Sequence, residues 1–274
     1  MEFRTVVKIE KAAFEIQPCE AILFVGSCFA DAIGRRFQEE GFPVVVNPYG
    51  TMYNPASVLH TIERYEGPVP RLVFLTLGTN HVYRLRETGE IVDNCEKRPQ
   101  VLFQEEELTV DACHDYLQKT VDVLRSRRPD VHVVLTVSPI RYRKYGYHES
   151  QLSKATLLLA VDRLQQSQCS IFNAQFSICY FPAYELLMDE LRDYRFYAPD
   201  MLHPSEQAAD YIWERLVEAW FSGAAKNYLD EWRPLKQALA HHPFHPESPD
   251  YQAFKDKTML KVEELRKKYS TFAL

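Results

Sequence analysis

Short apolar runs that do not alternate with polar residues constrain the fold of this chain more than any other feature. They occupy residues 21–26 (AILFVG), 43–46 (PVVV), 72–77 (LVFLTL), 131–137 (VHVVLTV) and, more weakly, 170–174 (SIFNA). A strand that is apolar at successive positions must be covered on both faces, which is the mark of a parallel sheet between helices. Helical patterns fill the gaps. Phe29, Ile33 and Phe37 recur every four residues and Gly41 closes that helix. Val110, Cys113, Leu117, Val121 and Leu124 form a longer stripe that ends before Pro129, and residues 152–164 form another. Ala208, Ala209, Ile212, Leu216 and Ala219 make a further helix, with Pro204 expected in its first turn. Strand and helix in alternation predict an α/β fold, a three-layer α/β/α sandwich around a mainly parallel five-stranded sheet. A flavodoxin-like strand order is expected. After Ser222 and Gly223 the pattern changes to helix without strand, at 227–241 and 250–269. We therefore expect a main domain over 1–223 and a helical extension over 224–274, packed on that domain or capping its mouth.

Candidate chemistry lies where these strands end. Ligands of open α/β sheets gather beyond the carboxyl ends of the strands. The first strand runs through Gly26 into Ser27 and then into an amphipathic helix. A serine there is either a nucleophile beside the unpaired N–H groups of a helix start or simply the helix N-cap. Asp200-Met201-Leu202-His203, just before the last helix of the main domain, can bring a carboxylate to one imidazole nitrogen and leave the other facing a nucleophile. Asn80, after the third strand, can donate a side-chain amide to an oxyanion, against the plainer reading of a turn residue. Gly50, after the second strand, can let a backbone N–H approach a substrate, or can be an ordinary turn glycine.

The order of these signals matters more than any one of them. Ser, then Gly, then Asn, then Asp-x-x-His resembles the pattern of the SGNH (GDSL-like) hydrolases. The run Gly26-Ser27-Cys28-Phe29-Ala30 resembles the signature of one branch, the GSCFA family. The resemblance continues through TVSPIR (136–141), QLSKA (151–155), YFPAYE (180–185) and MDELRDYRFY (188–197), to about residue 246. It implies the SGNH fold and the quartet Ser27, Gly50, Asn80 and His203, with Asp200 completing a triad. It also implies a serine esterase that cleaves carboxylic esters, often acetyl groups on carbohydrates, through an acyl-enzyme. The implied oxyanion donors are the Ser27 and Gly50 N–H groups and the Asn80 amide. The chain departs from the GDSL consensus in two places. Gly26 precedes Ser27 where that consensus has Asp, and His81 follows Asn80 where it tends to have Asp.

Other readings stay open. Cys28 also stands near a helix N-terminus, where a thiolate is favoured, and is a second candidate nucleophile. His81, Arg141, His148 and Gln151 are candidate substrate contacts, against helix-start polarity and surface charge. His241, His242 and His245 lack a carboxylate or cysteine at ligand spacing, so no metal is expected, and the chemistry requires no cofactor. A binding module for a carbohydrate or protein partner, or an acyltransferase using the same serine, remains a competing function. Trp213 and Trp220, seven apart on one helix, favour packing over sugar stacking, and Trp232 is open to either role. The 46% hydrophobic and 13% aromatic content excludes a disordered chain. A net charge of −6 with only short basic runs (Arg125, Arg127, Arg128; Arg141, Arg143, Lys144) argues against nucleic acid. The partner expected is a small-molecule or carbohydrate ester. The six cysteines form no C-x-x-C pair and read as reduced. No apolar run approaches the roughly 18 residues of a membrane span, and no signal-peptide core is visible, so a cytoplasmic location is the expectation. The sequence leaves the oligomeric state unassigned.

Overall fold

The computed structural model describes residues 1, 3–93, 95, 98–168 and 176–273. In chain order its elements are β1 (Ile22–Gly26), α1 (Cys28–Glu39), β2 (Val44–Val46), α2 (Pro55–Arg64), β3 (Leu72–Leu77) and β4 (His81–Leu85). There follow β5 (Ile91–Val92), β6 (Phe103–Glu107), α3 (Val110–Arg127), β7 (His132–Val137), α4 (Tyr147–Gln168) and β8 (Ser177–Tyr180). The short α5 (Ala183–Glu185) runs into a π-helical turn (Leu186–Leu191), and α6 (Glu206–Trp220), α7 (Gly223–Leu239) and α8 (Pro249–Lys268) complete the chain.

The main sheet has the order β2-β1-β3-β7-β8, and every neighbouring pair is parallel. This is the flavodoxin-like order expected. The fifth strand expected at 170–174 lies outside the described residues; the position beside β7 is taken by Ser177–Tyr180. Every residue of β1, β3 and β7 is buried, as unalternated apolar runs require. Successive side chains point to opposite faces, so the sheet feeds two cores. Ile22, Phe24, Leu72, Phe74 and Val134 pack with α1, α6 and α7. Leu23, Val25, Val73, Leu75, Val133 and Leu135 pack with α2, α3 and α4.

α1 fixes the geometry of the site. Phe29, Ile33 and Phe37 lie on its buried face. It ends at Gly41, whose φ of +74° accommodates a left-handed turn. The Gly41 N–H donates to Gln38 O and the Phe42 N–H to Phe37 O, the paired bonds of a Schellman motif. α6 starts at Glu206, two residues after the proline expected in its first turn. Ser205 is its N-cap, and Pro204 sits outside the helix in a bridge to Tyr197.

The C-terminal helices pack against the far end of α1. Trp232 Nε1 donates to Glu39 O at 3.0 Å, the Tyr228 hydroxyl donates to Glu40 O, and the Ala273 N–H donates to Gly41 O at 3.0 Å. A helix of 12 residues is about 18 Å long, so this end is remote from Cys28. These helices therefore do not cap the mouth at the start of α1. A second sheet, β5-β4-β6, is antiparallel and was not anticipated. Its longest partner, β6, reads FQEEE and carries exposed glutamates, so it lacks the β-branched and aromatic alternation by which strands are recognised. Among the described residues no helix is long and apolar enough to cross a membrane.

Candidate active site

The turn from β1 into α1 is built around a glycine that nothing else can replace. Gly26 has φ of +142°, and a Cβ there would stand 2.1 Å from Thr76 O. This close approach lets β1 and β3 stay paired as far as Gly26 and Thr76. The Ser27 N–H donates to Thr76 O at 3.0 Å. The Ser27 hydroxyl shares a hydrogen bond of 3.0 Å with Thr76 Oγ1 and accepts the Phe29 N–H at 3.3 Å. Ser27 is 1% exposed. It is the N-cap of α1, the plainer of its two sequence readings, with its side chain turned into the sheet.

Cys28 is the first residue of the helix, and its half-buried thiol points the other way. Asp200 and His203 meet it from the loop before α6. Asp200 Oδ1 accepts the N–H groups of Leu202 at 2.9 Å and His203 at 3.0 Å. Met201, at φ of +60°, makes the tight turn between them. Asp200 Oδ2 lies 2.6 Å from His203 Nδ1. The two backbone bonds and the imidazole hold the Asp200 carboxyl well below the usual carboxylate range. An ionised carboxylate only accepts, so Nδ1 donates to it, and Nε2 is the nitrogen of the ring that is left to face a nucleophile. Nε2 lies 3.6 Å from Cys28 Sγ.

The expected pairing of His203 with Ser27 is thus not formed among the described residues; the imidazole is on Cys28. Consecutive residues at a helix start diverge by about 100°, so only one of the two can face the loop. Burial pushes the Cys28 thiol pKa up, and the Tyr53 hydroxyl 3.9 Å from Sγ acts in the opposite sense. The resting form is the thiol.

The oxyanion donors also differ from expectation. The Ser27 N–H is taken by Thr76 O, and the Gly50 N–H closes a turn onto Asn47 O at 2.8 Å. Gly50, at φ of +91°, is a turn glycine on an exposed loop. Asn80 is buried at the end of β3, where its Nδ2 donates to Leu108 O at 2.8 Å and keeps a second N–H. Its Oδ1 is buried without a donor. Ser153 Oγ accepts the Asn80 N–H at 3.0 Å and bonds Thr79 Oγ1 at 3.0 Å, fixing the turn. The Cys28 N–H stands in the first turn of α1 with no intrahelical acceptor. The Cys28 N–H, just past β1, and the second Asn80 amide N–H, just past β3, are the candidate donors that these strand ends carry.

Aromatic rings wall this site. Tyr53 and Tyr142 meet edge to face at 5.9 Å, Tyr142 stacks on Tyr145 at 5.7 Å, and Tyr145 stacks on His81 at 3.8 Å. His81 is therefore part of the wall, and burial pushes its pKa down, which keeps the ring neutral. Arg141 lies over the rings of Tyr147 at 4.4 Å and Tyr197 at 5.1 Å, and its Nη1 donates to Met201 O at 3.2 Å. It braces the loop that carries His203. Gln151 accepts from the Tyr184 hydroxyl, and His148 is exposed in the first turn of α4. Tyr53, Tyr142 and Tyr145 carry no sequence signal, because nothing in their local pattern distinguishes a site wall from a core. Among the described residues no group of three metal-ligating side chains occurs.

The GSCFA family model matches residues 21–71 and 69–216, and that of the GSCFA domain protein C-terminal domain matches residues 232–274. No curated protein matches the chain. Among solved structures, a mutant acetyl esterase with acetate ion is similar at 12% identity, covering 81% of this chain and 100% of the other, with a TM-score of 0.46. A carbohydrate esterase family 3 protein from Talaromyces cellulolyticus is similar at 11% identity, covering 72% and 94%, with a TM-score of 0.42. A member of the lipolytic protein G-D-S-L family from Veillonella parvula is similar at 14% identity, covering 73% and 97%, with a TM-score of 0.46.

Proposed function

The chain belongs to the GSCFA family, and from that premise we propose that it is a carboxylic ester hydrolase whose nucleophile is Cys28, with His203 as base and Asp200 as its orienting carboxylate. One observation carries the reading: His203 Nε2 lies on Cys28 Sγ, while the Ser27 hydroxyl is turned away onto Thr76. In the first step Nε2 takes the thiol proton as sulfur bonds to the ester carbonyl carbon. Asp200 steadies the imidazolium that forms. The oxyanion receives the Cys28 N–H and the Asn80 amide. The C–O bond to the alcohol then breaks, and Nε2 returns the proton to the leaving oxygen. A thioester on Cys28 remains. Water, deprotonated by the same nitrogen, attacks it and restores acid and thiol.

The tyrosine-rich wall beside Cys28 suits the apolar face of a sugar ring, so the preferred substrate is an O-acylated carbohydrate with a small acyl group. The test is a short pulse of an activated acetyl ester, quenched in acid and mapped by peptide mass. The expected product is acetyl on Cys28, released by neutral hydroxylamine as a thioester. Acetyl on Ser27, or undiminished turnover in Cys28→Ala, overturns the assignment.

A further inference from the structure

A cavity of about 260 Å³ lies against the loop that carries His203. Arg141 and Arg192 line it, with Tyr194, Tyr197, Leu187 and Met188. Hydrogen bonds tie its walls to the catalytic loop. The Arg141 N–H donates to Leu202 O at 3.0 Å, and Arg141 Nη1 donates to Met201 O at 3.2 Å. Tyr197 forms a β-bridge with Pro204, and the Ala198 N–H donates to His203 O at 2.8 Å. The residue after Arg141 is Tyr142, whose ring meets that of Tyr53, and the Tyr53 hydroxyl stands 3.9 Å from Cys28 Sγ. One Cα step is about 3.8 Å, so the aromatic wall of Cys28 and this cavity adjoin. Ligand pockets run from about 300 Å³ upward, so a cavity of this size suits a single ring rather than a chain.

A guanidinium keeps its charge at any working pH and carries five N–H donors. Arg141 uses one of them on Met201 O, and the rings of Tyr147 at 4.4 Å and Tyr197 at 5.1 Å flank it. Arg192 ends the π-helical turn at φ of +40°. Glycine or asparagine adopts that left-handed conformation at lower cost, so the backbone gives no reason for an arginine there. The carboxylates nearby are engaged elsewhere: Asp193 pairs with Arg195 at 3.1 Å and Glu190 with Arg215 at 2.8 Å. Among the described residues neither Arg141 nor Arg192 forms an ion pair. Two permanent cations thus share one small cavity without an anion. We propose that this cavity is the subsite for the carboxylate-bearing ring of an O-acylated sugar acid, and that Arg141 and Arg192 select that substrate over neutral sugars. A planar carboxylate matches the guanidinium fork. Tyr194 and Tyr197, with ring centroids 6.4 Å apart, offer apolar faces to the sugar. The inference rests on the reading of the site as a carbohydrate esterase and names the class of carbohydrate.

The experiment measures binding of glucuronate and galacturonate to the protein by saturation-transfer NMR, with glucose and glucose 6-phosphate as comparisons. Saturable binding of a sugar acid, at least about tenfold tighter than glucose, is the result expected of a charge-assisted pair. Arg192→Asn keeps a residue suited to the left-handed turn and should weaken that binding about tenfold or more. Arg141→Lys keeps a charge but loses the fork, and should weaken it as well. Arg143→Gln removes an exposed charge that does not line the cavity, and should leave binding in place. No binding, equal binding of glucose, or tighter binding of glucose 6-phosphate overturns the inference. So does binding that survives Arg192→Asn or Arg141→Lys, or an equal loss in Arg143→Gln. Should Arg141→Lys fail to fold, Arg192→Asn alone decides. These readouts need no turnover, so the two readings fail separately. Binding of a sugar acid by a protein that hydrolyses neither O-acetyl glucuronate nor O-acetyl glucose would refute the esterase and leave the subsite standing. Hydrolysis of both esters with equal kcat/KM would refute the subsite and leave the esterase.

Discussion

Replacing Ser27 by alanine separates a cap from a nucleophile, because the two roles fail in opposite ways. The hydroxyl accepts the Phe29 N–H and bonds Thr76 Oγ1 in a fully buried position. Losing an N-cap costs about 1 kcal/mol. Leaving the Thr76 hydroxyl without its partner costs about 1 kcal/mol more. For a chain of this size a loss of about 2 kcal/mol lowers Tm by about 4 °C. The thiol, the imidazole and Asn80 stay in place, so kcat/KM for an activated ester should change by less than about threefold, or roughly 0.6 kcal/mol. A thermal melt and an ester-hydrolysis assay run well below the transition read both quantities on one preparation. Turnover reduced by about 10³ or more, with Tm unchanged, would mean that Ser27 itself forms the acyl-enzyme and that the reasoning from His203 is wrong.

Asp200→Asn removes the acceptor that sets the His203 tautomer, and should lower kcat by about 10²–10⁴ with little change in KM. Steady-state kinetics check this, and a rise in KM alone would contradict it. His132 is 4% exposed and stacked on Phe14 at 4.8 Å. Burial, helped by the nearby Arg71 charge, pushes its pKa down to about 4. The unfolded chain binds the extra proton first, so this contribution to stability is complete above about pH 6.5 and is lost as pH falls toward about 4, up to about 3 kcal/mol. Urea titrations across that window should show the loss, and His132→Phe should flatten it. Trp232→Ala removes an indole that is 2% exposed and anchored on Glu39 O, so it should cost about 3–5 kcal/mol. Below the lowered transition, esterase activity should persist, because Trp232 lies at the opposite end of α1 from Cys28; loss of activity in the folded variant would place the C-terminal helices in the site after all.

The framework was legible because its signals are local and strong. β1, β3 and β7 are apolar at consecutive positions, and that pattern has one stable environment, the middle of a parallel sheet. The spacing of Phe29, Ile33 and Phe37 predicts which face of α1 is buried, and Gly41 marks where the helix stops. Asp200 and His203 are close in sequence, so their hydrogen bond needs only a turn between them. β6 was invisible because three of its five residues are glutamates and its strand character comes from pairing with β4. Gly50 was read as a donor from its place in the motif order, yet its N–H closes a turn on Asn47, a contact with no sequence signature.

By itself, then, the sequence determined the α/β architecture, the strand ends at which a site would lie and the Asp200–His203 pair, since each depends on periodicity or on residues a few places apart. Tertiary structure decided which neighbour the imidazole meets. Ser27 and Cys28 are adjacent, and both sit where helix N–H groups point outward. Only the pairing of β1 with β3, through Gly26 and Thr76, rotates one side chain into the sheet and the other toward His203. The position of Lys154 was decided in the same way. Its place behind the Gly78 turn follows from how α4 packs on two strand ends, a relation among residues up to 76 positions apart.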